Sequence, residues 1–515
     1  MTVTRYRPPP TRSAEAAAGA APAGAPAGAP EAAGAADCAG GGASSFRHAA
    51  EKNAAAARAA DASTNRELIR PIDYSPCPAV RLRTASNHKR DRKEGGTRIA
   101  AVSCGGDVAI LRPFRALRPV PPRAGDVAAV PYDVVSTEEA RSIAARNPWS
   151  FLHVSRAEID LPEGAGPYSS EVYRRAAENF ERLTRECPLI REAEPSLYLY
   201  RLRMGDHQQT GVAGTFSLDD YDADIVRKHE RTRRDKEDDR TRHMIALRAQ
   251  TGPVFLTYRG RSAIDEVVTR ATSAPPVNDF VADDGVAHTI WLLDAADTRR
   301  LAGEFGRVPL LYIADGHHRA ASASRARAEL RSRTDHHAPD DASNFFLGVA
   351  FPAGQVRILP YNRTVKDLGG RSADDFLAAL KKVGPVSEDA PPAPAERGQV
   401  SVYLAGRWYG LRLSLGAGAG SAAPLDVSLL QEQILQPLLG IGDVRTDPRI
   451  DFVGGGRGTR ELEKAVDEGR AAVAFSLFPV EVEDLIRIAD AGEIMPPKST
   501  WFEPKLRDGL LVHEI

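Results

Sequence analysis

Residues that could carry chemistry are concentrated in the decapeptide from Tyr312 to Ala321. An apolar run from Val308 to Ala314 predicts a short buried strand, and the Asp-Gly dipeptide after it predicts a sharp turn. An alanine-rich stretch from His318 to Leu330 predicts a helix. Strand, turn and helix in this order bring free backbone N–H groups and the positive end of a helix dipole to one point. The pattern therefore indicates a phosphate or nucleotide site.

The residues at that turn form what we call the DGHHR loop: Asp315, Gly316, His317, His318 and Arg319. Its glycine lets the backbone approach a ligand closely, and its arginine offers a forked cation suited to phosphate. A histidine could donate a hydrogen bond to a phosphoryl oxygen, and the aspartate could hold Mg²⁺ or a substrate amine. The alternative is a buried turn with two surface histidines and an arginine in an ion pair. Two adjacent histidines after Asp-Gly are unusual, which favours the functional interpretation.

A second cluster of charged residues runs from Arg227 to Arg240. A helix from about Asp224 to Arg248 would place four bases on one stripe with acids beside it. The alternative is a solvated helix face with i,i+4 ion pairs, which Glu230 and Arg234 would satisfy. A basic stripe bordered by acids also suits a polyphosphate and a proton acceptor, which is the interpretation we favour. The stripe and its borders consist of His229, Arg233, Lys236, Arg240, Glu230 and Glu237.

A glycine-rich segment follows the apolar run from Ile450 to Val453. Successive glycine N–H groups after a strand can cradle a phosphate, although this segment lacks the Lys-Ser/Thr of a P-loop. The alternative is a tight turn that requires glycine. The phosphate ligands predicted here are Gly454, Gly455 and Arg457.

A proline-containing block runs from Met495 to Lys505. Two adjacent prolines restrict its backbone, so Lys498 would be presented rigidly, and we predict it as a phosphate ligand. The aromatic pair Trp501-Phe502 suits the core or a stacking wall. The alternative is a C-terminal clamp that only stabilises the fold.

Two shorter segments place polar side chains next to predicted elements. The segment from Val130 to Ser136 puts Tyr132 and Asp133 in a loop before a helix, from which they could reach a pocket. Tyr361-Asn362-Arg363 ends a strand with a cation. Either segment can be structural, and a functional role is favoured only for the first.

The elements that must position these residues mix strands with helices. A helix from Thr137 to Arg146 is predicted behind the N-cap residue Ser136. Leu197 to Arg203 and Gln209 to Phe216 predict two antiparallel strands separated by Gly205-Asp206. Further strands are predicted at residues 110–114, 127–130, 253–258, 289–293, 344–351 and 355–359, the last two as a pair. Hairpin-like and helix-separated connections occur together, so the predicted class is α+β (mixed α/β).

Composition and charge argue against a nucleic-acid-binding, a membrane-spanning or a zinc-binding protein. The 515 residues carry 68 Lys plus Arg against 69 Asp plus Glu, so net charge offers no support for nucleic-acid or membrane binding. The four cysteines are far apart and show no zinc spacing, which predicts a reducing compartment. No apolar run approaches the roughly 20 residues of a bilayer-spanning helix. We expect a cytoplasmic protein.

The first 98 residues differ from the rest of the chain. Residues 17–36 are almost entirely Ala, Gly and Pro, a composition that cannot bury a core and predicts a disordered tail, residues 1–98. The tail can be interpreted as an organellar transit peptide, an unstructured extension or a misassigned start. Its acidic residues count against a transit peptide. The remainder is predicted as two parts of one domain, residues 99–389 and 390–515, with a Pro/Ala-rich linker at 390–396.

Six segments together resemble one prokaryotic family, domain of unknown function 1015. Its members are often labelled SpoOJ/ParA/ParB/repB family proteins. The resemblance covers roughly residues 110–513 and leaves the tail outside. The segments are Pro131 to Val135, Asn147 to His153, Lys228 to Thr232, Tyr312 to Ala321, Asp451 to Gly455 and Met495 to Lys505.

The DGHHR loop is similar to the phosphate loop of the ParB/sulfiredoxin superfamily, which includes partition proteins, sulfiredoxins and kinases of free L-serine. This likeness implies a ParB/sulfiredoxin-like nucleotide-binding core with an additional strand-rich subdomain. The serine kinases carry a near-identical loop. A catalytic glutamate, which can follow a histidine, precedes that loop in their sequences. The matching pair in this sequence is His229-Glu230. Glu230 is farther from Asp315 in sequence than in those compact kinases, which an insertion would explain. Histidine stands where sulfiredoxins carry their catalytic cysteine, so peroxiredoxin repair is not expected.

The predicted function is that of a nucleotide-dependent phosphotransferase acting on the hydroxyl of a small metabolite, with free L-serine as the best candidate. ATP or ADP and Mg²⁺ are the expected cofactors, and Asp315 is the expected metal ligand. The expected catalytic residues are Glu230, His317 and His318. The expected phosphate ligands are Asp315, Gly316, Arg319, Arg233, Lys236, Gly454, Gly455, Arg457 and Lys498.

Two other functions remain open. One is a ParB-like regulatory protein that binds or hydrolyses a nucleotide without a small-molecule acceptor. The sequence shows no clear nucleic-acid-binding feature to support a DNA partner for it. The other is metal-dependent hydrolysis by His317 and His318, which is less favoured because no second ligand motif accompanies them.

Overall fold

Two β-sheets and the helices around them make up the part of the chain that the structure describes. The structure is a computed structural model, and it describes residues 108–187, 189–333, 338–415 and 424–515. The predicted tail, residues 1–98, lies outside the described residues. The described part mixes helix and sheet, as expected for an α+β protein.

The larger sheet contains nine strands within the described residues. They are β1 (Leu111–Arg112), β2 (Tyr198–Met204), β3 (His207–Ser217), β4 (Val226–Arg227), β5 (Val254–Tyr258), β6 (Asn278–Val281), β7 (Ala287–Leu292), β8 (Leu311–Asp315) and β9 (Phe345–Pro352). Their order is β4-β8-β5-β9-β3-β2-β7-β6, and β1 pairs with β3. β4 is parallel to β8, and β5 is parallel to β9, whereas the other neighbours are antiparallel.

A six-stranded antiparallel sheet follows in the chain. Its strands are β10 (Tyr361–Val365), β11 (Val386–Glu388), β12 (Gln399–Leu404), β13 (Arg407–Arg412), β14 (Ile450–Gly454) and β15 (Val473–Leu477). Their order is β11-β13-β12-β15-β10-β14. The predicted linker at residues 390–396 connects β11 to β12, so both sides of the predicted boundary contribute strands to this sheet.

Helices surround the sheets. They are α1 (Ala124–Val127), α2 (Thr137–Ala144), α3 (Leu152–Ser155), α4 (Ser170–Glu186), α5 (Leu218–Asp222), α6 (Arg234–Leu247), α7 (Ser262–Ala271), α8 (Ala295–Phe305), α9 (His317–Arg331), α10 (Ala373–Val383), α11 (Asp426–Leu430), α12 (Arg460–Asp467) and α13 (Val482–Asp490). None of these helices has the length and apolar character that crossing a membrane requires.

Alternation along β8 shows how the larger sheet is buried on both faces. Successive side chains of a strand point to opposite faces. Leu311 and Ile313 join a core with residues of α7, α8 and α9. Tyr312 and Ala314 join a second core that continues into the six-stranded sheet. Burial on both faces explains the continuous apolar run before the DGHHR loop.

Short strand pairs tie the C-terminal segment to the rest of the described chain. Trp501–Phe502 pairs with Ile358–Leu359, and His513–Glu514 pairs with Ala249–Gln250. A third short pair joins Leu117–Pro119 to Leu189–Arg191. The C-terminal pairs hold the segment from Met495 to Asp508 beside the larger sheet.

Several predicted elements are confirmed. β2 and β3 form the predicted hairpin around Gly205-Asp206. α2 begins behind Ser136, whose hydroxyl accepts a hydrogen bond from the Glu139 N–H (3.1 Å), while the Glu139 carboxylate accepts one from the Ser136 N–H (2.8 Å). This reciprocal arrangement is a capping box.

Three predicted elements are wrong. Residues 127–130 do not form a strand, because Val127 ends α1. The segment at 355–359 does not pair with β9; Ile358–Leu359 pairs with Trp501–Phe502, a contact too distant in sequence for a local pattern to show. The charged helix begins at Arg234, not near Asp224, because β4 intervenes. His229 and Glu230 therefore precede the helix, and the predicted basic stripe does not exist as one helix face.

Candidate functional site

Parallel pairing of β4 with β8 brings the two main sequence motifs together. Val226 and Arg227 are in register with Leu311 and Tyr312. Because both strands run in the same direction, the residues after β4 leave the sheet at the same edge as the DGHHR loop. Glu230 Oε2 consequently lies 3.7 Å from Nδ1 of His317. The structure thus brings Glu230 to the loop as predicted, although from an extended segment.

Gly316 shapes the turn between β8 and α9. Its φ of +94° lies in the left-handed region, which a residue with a Cβ rarely adopts. A Cβ at this position would also approach Nε of Arg319 to 3.0 Å. Gly316 is the N-cap residue, so α9 begins at His317, one residue before the predicted start. The first N–H groups of α9 point out of the helix at this turn.

Asp315 and Arg319 form an ion pair at the turn, in which the arginine is buried and the aspartate is half-buried. Nη2 of Arg319 lies 3.0 Å from Oδ2 of Asp315, and Nη1 donates a hydrogen bond to the carbonyl of Pro253. Burial alone would raise the pKa of Asp315, but Lys505, Arg319 and Lys498 together hold it below its usual range. Arg319 is 5% exposed, so its guanidinium stabilises the loop from the protein interior.

Three histidines meet at the turn and favour their neutral forms. The rings of His229 and His317 pack edge to face with centroids 4.4 Å apart. Burial lowers the pKa of His229 to about 4, and burial with the neighbouring His229 and His318 lowers the pKa of His317 far below its usual range. Burial also lowers the pKa of His318, whose Nε2 accepts a hydrogen bond from the Arg233 N–H (3.0 Å). Among the described residues, Nε2 of His317 has no hydrogen-bond partner.

The carboxylate of Glu230 has the electrostatic setting of a proton acceptor. Burial raises its pKa, and the negative charges of Asp315 and Asp133 raise it further against the opposing charges of Lys498 and Lys505. The side chain is still 38% exposed, so a ligand can reach it. A carboxylate with a raised pKa is suited to general-base chemistry.

Two lysines of the C-terminal segment reach the same point. The Met495 N–H donates a hydrogen bond to the His229 carbonyl (2.8 Å), which anchors this segment beside Glu230. Lys505 Nζ lies 3.8 Å from Oδ1 of Asp315 and 4.6 Å from the ring centroid of Trp501. Lys498 Nζ lies 5.5 Å from the ring centroid of Tyr361. Both lysines are thus held by aromatic rings near the DGHHR loop.

Arg363 fixes the backbone at Lys498. Lys498 has a φ of +59°, a left-handed conformation that costs free energy in a non-glycine residue. Nη2 of the buried Arg363 donates a hydrogen bond to the Lys498 carbonyl (2.9 Å), and Nη1 donates to the Tyr361 carbonyl. Burial lowers the pKa of Arg363 to about 10. Arg363 lies in the middle of β10 and not at a strand end as predicted, and from there it fixes the backbone at Lys498.

The glycine-rich segment packs against the ring of Trp501 and against Leu359 and Pro360. A Cβ on Gly454 would approach the Trp501 ring to 2.4 Å, and one on Gly455 would approach Leu359 and Pro360 to 2.7 Å. These glycines allow close packing of Trp501, the ring that carries Lys505. These contacts give Gly454 and Gly455 a packing role, which differs from the tight turn offered as the alternative to a phosphate cradle.

The other predicted phosphate ligands are bound elsewhere. The exposed Arg457 forms an ion pair with Glu139 of α2 (3.1 Å). Arg233 contributes its backbone N–H to His318, while its guanidinium pairs with Asp235 (2.8 Å). Lys236 donates a hydrogen bond to the Tyr168 hydroxyl (2.8 Å). The structure gives none of these three side chains a contact with the DGHHR loop.

Three acidic or basic residues at the site were not among the predicted site residues. Lys505 belongs to the predicted proline block, which assigns it no role. Asp133 belongs to the loop before α2, for which a functional role is favoured without a specific assignment. Asp508 is buried near Arg319, and burial with the charge of Asp133 raises its pKa to about 7 against Arg319 and Arg240. A lone aspartate after an arginine carries no sequence signal of this environment.

Asp315 alone is a weak metal ligand. Among the described residues no three His, Cys, Asp or Glu side chains are grouped to hold an ion. Both oxygens of Asp315 already face cations, Lys505 and Arg319. Mg²⁺ is commonly held by one or two carboxylates together with substrate phosphates, and only that kind of site is compatible with these residues.

Sequence comparison assigns the family. Residues 111–428 match the family described as protein of unknown function, DUF1015. The chain belongs to this family. None of the curated proteins matches the sequence.

Solved structures give only distant likenesses to this DUF1015 chain. A free serine kinase in complex with AMP is 14% identical, with 57% of this chain and 91% of that chain covered and a TM-score of 0.30. A conserved hypothetical protein from Pyrococcus furiosus is 13% identical, with 58% and 94% covered and a TM-score of 0.30. SbnI from Staphylococcus aureus, with a C-terminal truncation, is 10% identical, with 57% and 85% covered and a TM-score of 0.31. TM-scores this low do not assign a common fold or function.

Proposed function

We propose that the protein is a phosphotransferase that moves a phosphoryl group from a nucleotide, ATP or ADP, to the hydroxyl of a small metabolite. Free L-serine is the best single candidate acceptor. The observation that carries the proposal is the position of Glu230, a carboxylate with a raised pKa, 3.7 Å from His317 at the N-terminus of α9. A proton acceptor and an anion site share one edge of the sheet.

The nucleotide phosphates would bind at the DGHHR loop. Free N–H groups at the start of α9 and the helix dipole favour an anion there. Lys498 and Lys505 add two positive charges, and their aromatic supports leave the ammonium groups able to meet phosphate oxygens. Arg319 would hold the loop in shape through Asp315. Charge stabilisation and positioning are most of what phosphoryl transfer requires.

Glu230 would act as the general base. The acceptor oxygen forms a bond to the transferred phosphorus, the bond from that phosphorus to the nucleotide's bridging oxygen breaks, and the hydroxyl proton passes to Glu230. His317 and His318 are neutral in this setting, so each would donate a single hydrogen bond to a phosphoryl oxygen. Mg²⁺, bound through phosphate oxygens and Asp315, would supply further charge neutralisation.

The loop also supports a finer structural proposal. The strand β8, the left-handed Gly316 and α9 would form part of a ParB/sulfiredoxin-like nucleotide-binding core, with the six-stranded sheet as the additional subdomain. This proposal rests on the sequence similarity of the DGHHR loop and on its strand–turn–helix geometry.

Acceptor-dependent nucleotide turnover tests the proposed function. ADP or AMP release would be measured with L-serine and other small alcohols for the wild type, Glu230→Ala and the control Glu266→Ala, an exposed glutamate on α7. We expect acceptor-stimulated turnover that Glu230→Ala abolishes and Glu266→Ala retains. Nucleotide binding with no stimulation by any hydroxylated metabolite would reject the kinase and favour the nucleotide-binding regulatory protein.

A further inference from the structure

A cavity of about 440 Å³ lies beside the proposed general base. Glu230 and His317 contribute to one part of its lining, and Tyr221, Asp224, Lys228 and Arg231 contribute to the rest. Its volume is within the usual range of small-molecule sites, about 300–1,000 Å³. Neither Lys498 nor Lys505 lines it. A molecule in this cavity would therefore reach Glu230 and His317 without occupying the space next to the two lysines.

Two charged residues of the cavity wall, Asp224 and Lys228, are paired with each other. Lys228 Nζ donates a hydrogen bond to the Tyr221 carbonyl (2.6 Å) and lies 4.2 Å from the ring centroid of the same tyrosine. The Asp224 carboxylate lies 3.4 Å from Lys228 and 3.0 Å from Arg227. Asp224 is thus shared by two cations, and Lys228 already has both a carboxylate and a carbonyl partner.

Arg231 is the exception. This exposed residue lines the cavity, and among the described residues it forms no hydrogen bond or ion pair. The neighbouring Thr232 is occupied, because its hydroxyl donates to Glu237. A guanidinium presents a planar fork of donors that matches a carboxylate or a phosphate group. The cavity thus combines a proton acceptor with one uncompensated cation.

We infer that this cavity binds the phosphoryl acceptor and that the acceptor carries an anionic group, a carboxylate or a phosphate, which Arg231 binds. The inference rests on the proposed function for the identity of the reaction. It assigns Arg231 as the residue that selects the acceptor. A hydroxyl directed at Glu230 and an anion directed at Arg231 would orient a small metabolite at two points.

Equilibrium binding to matched ligand pairs tests the inference without requiring turnover. Calorimetry would compare L-serine with L-serinamide, and glycerol phosphate with glycerol, for the wild type, Arg231→Ala and Arg231→Lys. Arg299→Ala is the control, since Arg299 is an exposed arginine on α8 that does not line the cavity. The wild type and control should bind the anionic member of at least one pair roughly 5-fold to 10-fold more tightly. Arg231→Ala should lose that preference, and Arg231→Lys should keep part of it.

Three results would overturn the inference: no preference for an anionic ligand in the wild type, an unchanged preference in Arg231→Ala, or a loss of nucleotide affinity instead of acceptor affinity in that variant. The proposed function fails separately. If the anion preference depends on Arg231 but no phosphoryl group is transferred to any acceptor, the cavity assignment stands and the kinase activity is rejected.

Discussion

Oε2 of Glu230 and Nδ1 of His317 lie 3.7 Å apart at the carboxyl ends of two parallel strands. The pKa of His317 is held far below its usual range by burial and by its neighbouring histidines, so the imidazole is neutral near pH 7. A neutral imidazole does not lock the carboxylate in an ion pair. Glu230 is therefore positioned by its neighbours while its charge remains available to a ligand.

Gly316→Ala should destabilise the protein and disturb the loop. A residue with a Cβ in a left-handed conformation costs about 1–2 kcal/mol of folding free energy. The new Cβ would also approach the Arg319 guanidinium. We expect a lower free energy of unfolding in urea and weaker nucleotide binding. Gly303→Ala is the control, since a Cβ at that position in α8 meets nothing within 4 Å, and alanine should stabilise the helix by about 0.5–1 kcal/mol. Equal stability of Gly316→Ala and the wild type would contradict the assigned turn.

The two lysines should determine nucleotide affinity. Lys498→Met and Lys505→Met remove charges from the proposed phosphate site, so each should weaken ATP or ADP binding about 10-fold or more. Lys366→Met is the control, because Lys366 is exposed and pairs with Asp451. Equilibrium binding of a labelled nucleotide measures the effect. The proposed site would be wrong if both variants bound the nucleotide like the wild type.

Asp508 should make stability fall as the pH rises. Burial raises the folded-state pKa from 3.8 to about 7, so the folded state holds this proton more tightly than the unfolded chain. The resulting stabilisation is present below about pH 3.8 and is lost as the pH rises towards 7. Asp508→Asn should therefore gain stability relative to the wild type across that window, as measured by denaturant unfolding at each pH. A constant difference between the two proteins would contradict the assignment.

His153, which lies outside the site, should also make stability fall as the pH rises, but in a higher pH range than Asp508. Its Nδ1 lies 2.8 Å from Asp160 and its Nε2 lies 3.2 Å from the Asn147 carbonyl, contacts that the imidazolium satisfies with both N–H groups. The hydrogen bond to Asp160 raises the pKa of His153. Its stabilisation is complete below about pH 6.5 and is lost as the pH rises through the folded-state pKa. His153→Gln should show a shallower decline in unfolding free energy above pH 6.5, and parallel profiles would exclude this role.

The strand, turn and helix around the DGHHR loop could be predicted from the sequence because each signal is local. A strand buried on both faces reads as a continuous apolar run, and Gly316 occupies a conformation that favours glycine. The location of Asp315 at the end of the strand and of His317 at the start of the helix can therefore be predicted from the local sequence.

The setting of Glu230 could not be predicted in the same way. β4 has only two residues, Val226 and Arg227, too few to show an alternating pattern. The dense charge after it favoured a helix instead. Its pairing with β8 is a long-range contact, so neither the extended segment nor the direction of Glu230 follows from local preference.

The contribution of the C-terminal segment was only partly predictable. The sequence predicts Lys498 as a ligand because two adjacent prolines restrict the backbone before it. The contact that fixes the Lys498 carbonyl comes from Arg363, which is distant in sequence. Gly454 looked like a phosphate cradle because glycine serves both open N–H groups and close packing. The Trp501 ring that lies against it gives Gly454 a packing role, and that contact joins distant parts of the chain.

Phosphoryl transfer by Glu230→Gln is the most direct test of the central claim, that Glu230 and the DGHHR loop form one catalytic site. The measurement follows a radiolabelled terminal phosphoryl group from ATP or ADP to L-serine or another hydroxylated acceptor, alongside equilibrium nucleotide binding. The wild type should transfer the label, and Glu230→Gln should bind the nucleotide with similar affinity but transfer the label at least about 100-fold more slowly. Transfer by the variant at the wild-type rate would contradict the claim.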